Sequence, residues 1–142
     1  MGASFEEKSV WIQLVSLVLG LGAYFAVAGR MMAAGVTALP AYTVLFLVSV
    51  ALMVAVLVAG HVAAAIASKP EGRDERDRLI GWRAESNSSW LLAVGVFAAI
   101  TGMLFSLSTV WIAHMLLVSL FASEMLGYVL RLLYYRRGMG GA

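Results

Sequence analysis

The sequence predicts an all-α membrane protein: four transmembrane helices arranged as two antiparallel hairpins, with both termini cytoplasmic. Three observations carry that expectation. Hydrophobic residues make up 62% of the 142 and charged residues 13%, against roughly 45–50% and roughly 25% in globular chains. A chain this short has too much surface for its volume to hide such an apolar excess on itself. The charges are also concentrated: Lys69 to Glu85, KPEGRDERDRLIGWRAE, holds ten of the eighteen and divides two apolar blocks, each long enough to cross a bilayer twice. Finally, once the spans are drawn, Lys and Arg fall almost entirely on one side.

The first span is expected over residues 10–29, about 30 Å of helix and so the thickness of the hydrocarbon core. Trp11 stands where it begins. Ala26-Val27-Ala28 resembles a signal-peptidase site, but Glu6 and Glu7 against Lys8 give the preceding segment the wrong charge for a signal sequence. A loop from Arg30 to Pro40 follows, with Pro40 suited to the first turn of the next helix. The second span, 41–68, is longer than the minimum and is closed by Lys69-Pro70.

Residues 69–88 are expected as a cytoplasmic loop, and the third span as 89–106, opening on Trp90. A connection as short as Leu107-Ser108 forces the fourth span, 109–135, back along the third, with Ser108 or Thr109 available to cap it. Tyr128, Tyr134 and Tyr135 mark the far interface of that helix and Trp111 the near one. The whole chain forms a single transmembrane domain.

Orientation follows from the basic residues. Lys8, Lys69, Arg73, Arg76, Arg78, Arg83, Arg131, Arg136 and Arg137 share one side, and Arg30 alone takes the other. Nine against one sets both termini and the charged stretch inside. The two halves also repeat weakly: a shift of 79 residues lays Glu6, Ser9 and Trp11 on Glu85, Ser88 and Trp90, and a shift of 70 lays Leu47-Val48-Ser49 on Leu117-Val118-Ser119.

Two segments carry a resemblance, FEEKSVWI before the first span and DERDRLIGWRAESNSSW leading into the third. Together they resemble a group of small, uncharacterised bacterial four-span inner-membrane proteins in which a DERDxLI-type cytoplasmic loop joins two hairpins. That resemblance implies the topology and a bacterial cytoplasmic (inner) membrane; it implies no activity and assigns no functional residue.

The chemistry is sparse. The net charge of +2 and pI near 9.2 reflect the topological bias rather than nucleic-acid binding, since no basic stripe with interleaved aromatics exists outside the spans. With no cysteine there is no disulfide, thiolate metal site or Cys nucleophile. No phosphate loop, HExxH or GxSxG occurs, so no enzyme and no cofactor is expected. A bis-histidine haem is disfavoured, because His61 and His114 stand at opposite depths.

One polar constellation stands out. Glu124 lies seven residues before Arg131, hence about 10 Å into the apolar span, where an acidic group costs about 2.5–3.5 kcal/mol unless it is protonated, partnered or turned inward. His61, eight residues before Lys69, shares its depth. Gln13 and Asn87 are expected to complete the cluster, with Glu124 and His61 within hydrogen-bonding reach directly or through one water. The alternatives are a proton or cation site and a packing clasp between helices.

Arg73, Asp74, Glu75, Arg76, Asp77, Arg78, Leu79 and Trp82 form a second candidate, an interfacial or docking loop. In a helix, Arg73 and Asp77, and Asp74 and Arg78, would pair four residues apart, each pair worth about 0.3–0.5 kcal/mol. The resulting expectation is a non-catalytic accessory, regulatory or interaction subunit of the inner membrane. Its partners are the bilayer and either further copies of the chain or another membrane protein. The alternative is a small proton-coupled transporter or channel using Glu124 and His61.

Overall fold

A computed structural model describes residues 4–68, 72 and 74–137, and every regular element among them is helical. Four helices are each long and apolar enough, by length and composition, to cross a membrane. The first, α1 (Phe5–Ala33), is capped by the Ser4 side chain, which accepts from the Glu7 amide at 3.1 Å. Glu6 and Glu7 in its first turn and Arg30 in its last complement the helix dipole.

Gly35 reverses the chain at a left-handed φ of 82° that a side chain would resist. A 3-10 turn, Leu39–Tyr42, then carries Pro40 at its start, and the Tyr42 hydroxyl closes the loop by donating to the Val36 carbonyl at 2.8 Å. Helix α2 (Thr43–Ala67) returns along α1 and ends at Ser68, whose hydroxyl accepts from Lys8 Nζ at 2.7 Å. Lys69-Pro70, expected to end this helix, lies outside the described residues.

Helix α3 (Glu75–Leu104) departs most from the sequence expectation. The charged stretch expected as a loop up to residue 88 is the first part of this helix from Glu75 onward, and no break separates it from the apolar part. The reason is local. Asp74 and Asp77 form a reciprocal capping box, the Asp77 amide donating to Asp74 at 2.7 Å and the Asp74 amide to Asp77 at 3.2 Å. From there to Leu104 no proline intervenes. Thirty residues give roughly 45 Å of helix, about 15 Å more than a hydrocarbon core.

Three residues of this extension, Ile80, Ala84 and Ser88, repeat every fourth position and are buried. The extension is thereby packed on the rest of the molecule. Asp77 also accepts from the Tyr135 hydroxyl at 2.8 Å, tying it to the far end of α4 (Thr109–Arg137). The turn into α4 places Ser106 at a φ of 57° and is closed by the Leu107 amide donating to the Gly102 carbonyl at 2.9 Å.

The helices pack in the order α2, α1, α4, α3, with α1 and α4 joining the two pairs and α2 and α3 on the flanks. Glycine makes both pair seams close. A Cβ on Gly20 would lie 2.5 Å from that of Met53, and one on Gly60 2.6 Å from Ile12 Cγ2. In the other pair, a Cβ on Gly95 would overlap Ser119, and one on Gly127 would come 3.1 Å from Ser88 Oγ.

The serines matched by the two sequence shifts, Ser9 with Ser88 and Ser49 with Ser119, are all buried. Ser9 Oγ bonds across α1 and α2, Ser49 meets Gly20 there, the Ser88 carbonyl accepts from Ser123 Oγ across α3 and α4, and Ser119 meets Gly95. The two pairs thus repeat a small-residue seam, not merely a hydropathy profile.

Candidate functional site

Where α1 meets α4, the centre is a buried aromatic knot that the hydropathy pattern does not reveal. Tyr24, Tyr42 and His114 are 1%, 2% and 6% exposed. The His114 ring stacks with Tyr24 at 5.7 Å and meets Tyr42 edge-on at 4.9 Å. Its Nδ1 lies 2.7 Å from the Val110 carbonyl, which can only accept, so Nδ1 carries the proton and Nε2 accepts from the Tyr24 hydroxyl at 3.0 Å. This knot holds the two helix pairs together near the turns.

His61 repeats the arrangement toward the other end. Its Nδ1 donates to the Leu57 carbonyl at 2.9 Å, leaving Nε2 to accept from Ser9 Oγ at 2.9 Å, while Gln13 Nε2 donates to the same Ser9 oxygen at 3.3 Å. The result is a chain of contacts from Gln13 through Ser9 and His61 to a backbone carbonyl. Both ring nitrogens are engaged. The hydrogen bond between His61 and Glu124 expected from their shared depth is therefore replaced by bonds within the first helix pair.

Glu124 nevertheless faces the same space. A groove of about 720 Å³ runs between α2 and α4 with α1 as its floor, and Gln13, His61 and Glu124 all line it. Leu17, Leu21, Met53 and Leu57 supply apolar wall. Val58, Val62 and Leu120 line it while remaining exposed, so the groove opens sideways from the bundle. Its size lies in the range of about 300–1,000 Å³ typical of small-molecule sites.

The groove exists because α2 packs against α1 and stands off α4: among the described residues of α2 only Ser49 is buried. The Glu124 carboxylate lies beside the Tyr128 hydroxyl one turn along α4. The Arg131 guanidinium lies 5.7 Å from the Tyr128 ring centroid. Asn87 does not join this site; it donates to the Tyr134 hydroxyl at 2.9 Å, between α3 and α4.

The second candidate is rearranged as well. Arg73, and with it the pair Arg73 and Asp77, lies outside the described residues. Asp74 caps its own helix, and Asp77 divides its carboxylate between that cap and Tyr135. Glu75, Arg76, Arg78 and Leu79 are exposed, and Trp82 is 67% exposed. These residues belong to the α3 extension instead of a loop, and Arg78 and Trp82 line a small cavity with Val10 of α1 and Arg131 and Tyr135 of α4.

Comparison with protein-family models, with curated proteins and with solved structures finds no match. Function is accordingly read from the geometry.

Proposed function

We propose that this protein is a non-catalytic, four-span protein of the bacterial cytoplasmic membrane that binds a hydrophobic ligand in its lateral groove and couples that binding to the protonation state of Glu124. In this reading α1 with α2 and α3 with α4 form two transmembrane hairpins, both termini are cytoplasmic, and the α3 extension projects into the cytoplasm. The basic-residue bias and the resemblance of the DERDRLI segment support that placement.

One observation carries the functional reading: a groove of about 720 Å³ with largely apolar walls reaches Glu124, the one carboxylate among its described lining residues. A sealed core at that level would have favoured a purely structural clasp. A carboxylate placed among apolar side chains is costly, and intramembrane acids are by default sites of ion or proton handling. A second reading, an accessory subunit, is favoured by the exposure of α2 and of Trp82, both of which suit a protein partner.

Single cysteines test the proposal without background, since the chain has none. Leu120→Cys in native membranes is expected to react with N-ethylmaleimide, whereas Phe97→Cys, on the exposed outer side of α3, is expected to stay unmodified. An impermeant maleimide should label Val36→Cys from outside the cell and Glu75→Cys only after lysis. An unreactive Leu120→Cys would remove the groove reading, and labelling of Glu75→Cys on intact cells would invert the topology.

A further inference from the structure

Resting on the groove reading above, we infer that its ligand is a lipophilic monovalent cation. The apolar body lies on Leu17, Leu21, Met53 and Leu120, the cationic centre lies against the Glu124 carboxylate, and binding displaces the carboxyl proton.

Charge decides the class. Among the described residues lining the groove, Glu124 is the one side chain with a formal charge. An anion would face it with no counter-charge at hand. His61 offers no spare donor, because its Nδ1 is held by the Leu57 carbonyl and its Nε2 by Ser9 Oγ. A neutral hydrophobic ligand would fill the apolar part but take water away from the otherwise exposed Glu124 carboxylate, leaving it only the Tyr128 hydroxyl beside it. Only a cation satisfies both halves of the site.

Shape and depth decide the rest. The lining residues run from Gln13 to Leu21 on α1, Met53 to Val62 on α2 and Leu120 to Tyr128 on α4, each about 12–14 Å of helix. That length suits one compact molecule. A partner helix would seek a seam along the full height of the bundle. Glu124 stands about 10 Å along α4 from Arg131, deeper than a lipid headgroup amine sits, so the cation is a free amphiphile, not a lipid.

Competition with a proton follows from the same geometry. The titratable groups around the site are Glu124 and Tyr128 on α4 and His61 on α2; α1 contributes Gln13 and Ser16, which do not titrate. Arg131 follows one turn beyond Tyr128. Cation and proton compete for one carboxylate, so binding weakens toward low pH, by up to about tenfold per pH unit for one proton exchanged.

Tetraphenylphosphonium binding to the full chain in phosphatidylcholine nanodiscs tests this, with tetraphenylborate as the probe of equal shape and opposite charge. The expected result is saturable binding of the phosphonium alone, weakening toward low pH. Glu124→Gln should lose at least about tenfold in affinity, and Glu124→Asp should keep both binding and its pH dependence. Leu120→Trp fills the groove with Glu124 intact and should also abolish binding, so the test survives if Glu124→Gln does not fold.

Equal binding of the borate, or phosphonium binding unchanged in a folded Glu124→Gln, overturns the cation assignment. Protection of Leu120→Cys from maleimide by the borate but not by the phosphonium would do the same while leaving the groove reading intact. Spontaneous Leu120→Cys disulfide dimers without phosphonium binding would assign the groove to a second copy of the chain. A cysteine at 120 inert to maleimide from the start removes the groove reading itself.

Discussion

Gly95→Leu is expected to part α3 from α4 and destabilise the protein by about 1–3 kcal/mol or more, the range for forcing atoms into a packed interior. Even a single Cβ at position 95 overlaps the Cβ and Oγ of Ser119. The hydroxyl can rotate away, but the Ser119 Cβ is fixed by the α4 backbone, so the helices must move. Gly95→Ala should show the same sign at smaller size, and Ser119→Gly in that background should recover part of the loss. Gly29→Ala is the control, since nothing lies within 4 Å of its added Cβ; helix propensity alone should make it neutral or stabilising by up to about 1 kcal/mol. Unfolding in detergent followed by circular dichroism checks the set. Equal behaviour of positions 95 and 29 would show that the seam does not limit stability.

His114→Ala is expected to cost about 2–4 kcal/mol, combining a cavity with the loss of two ring contacts. The side chain is enclosed by Tyr24 and Tyr42, and its removal also strands the Tyr24 hydroxyl. Hydrogen bonds between membrane helices are individually modest, about 0.6 kcal/mol on average and about 1.7 at most. Tyr24→Phe, which deletes only the hydroxyl, should therefore cost far less than His114→Ala. If the two cost the same, the hydrogen bond and not the packing holds the knot. Because Tyr42 belongs to the turn before α2, His114→Ala should also loosen the α1 to α2 connection, visible as faster hydrogen exchange around Val36.

The four long apolar helices were legible because their number depends on sums of apolar length that no tertiary contact alters. The start of α3 was not placed at Glu75, because ten charges within seventeen residues lower the hydropathy of a window whether the chain is loop or helix. The capping box at Asp74 and Asp77 was present in the sequence and is the signal that places the start of the helix at Glu75. Depth along a helix was also readable, and Gln13, His61 and Glu124 line one groove. Azimuth was not. Asn87 is next to the buried Ser88 but about 100° round the helix, and it bonds Tyr134 instead. The knot of Tyr24, Tyr42 and His114 draws one residue from each of three elements, so no spacing within one segment announces it.

The central claim is that Glu124 exchanges a proton at a groove open to ligand, and its carboxyl vibration reports this most directly. Infrared difference spectra between low and high pH, taken on the wild type and on Glu124→Gln in nanodiscs, are expected to show one protonated-carboxyl band that is present only in the wild type. That band should shrink when tetraphenylphosphonium is added at a pH where the band is partly developed. Identical spectra from the two proteins, or a band at 124 that ignores pH and ligand alike, would contradict the claim and leave Glu124 as part of a packing clasp.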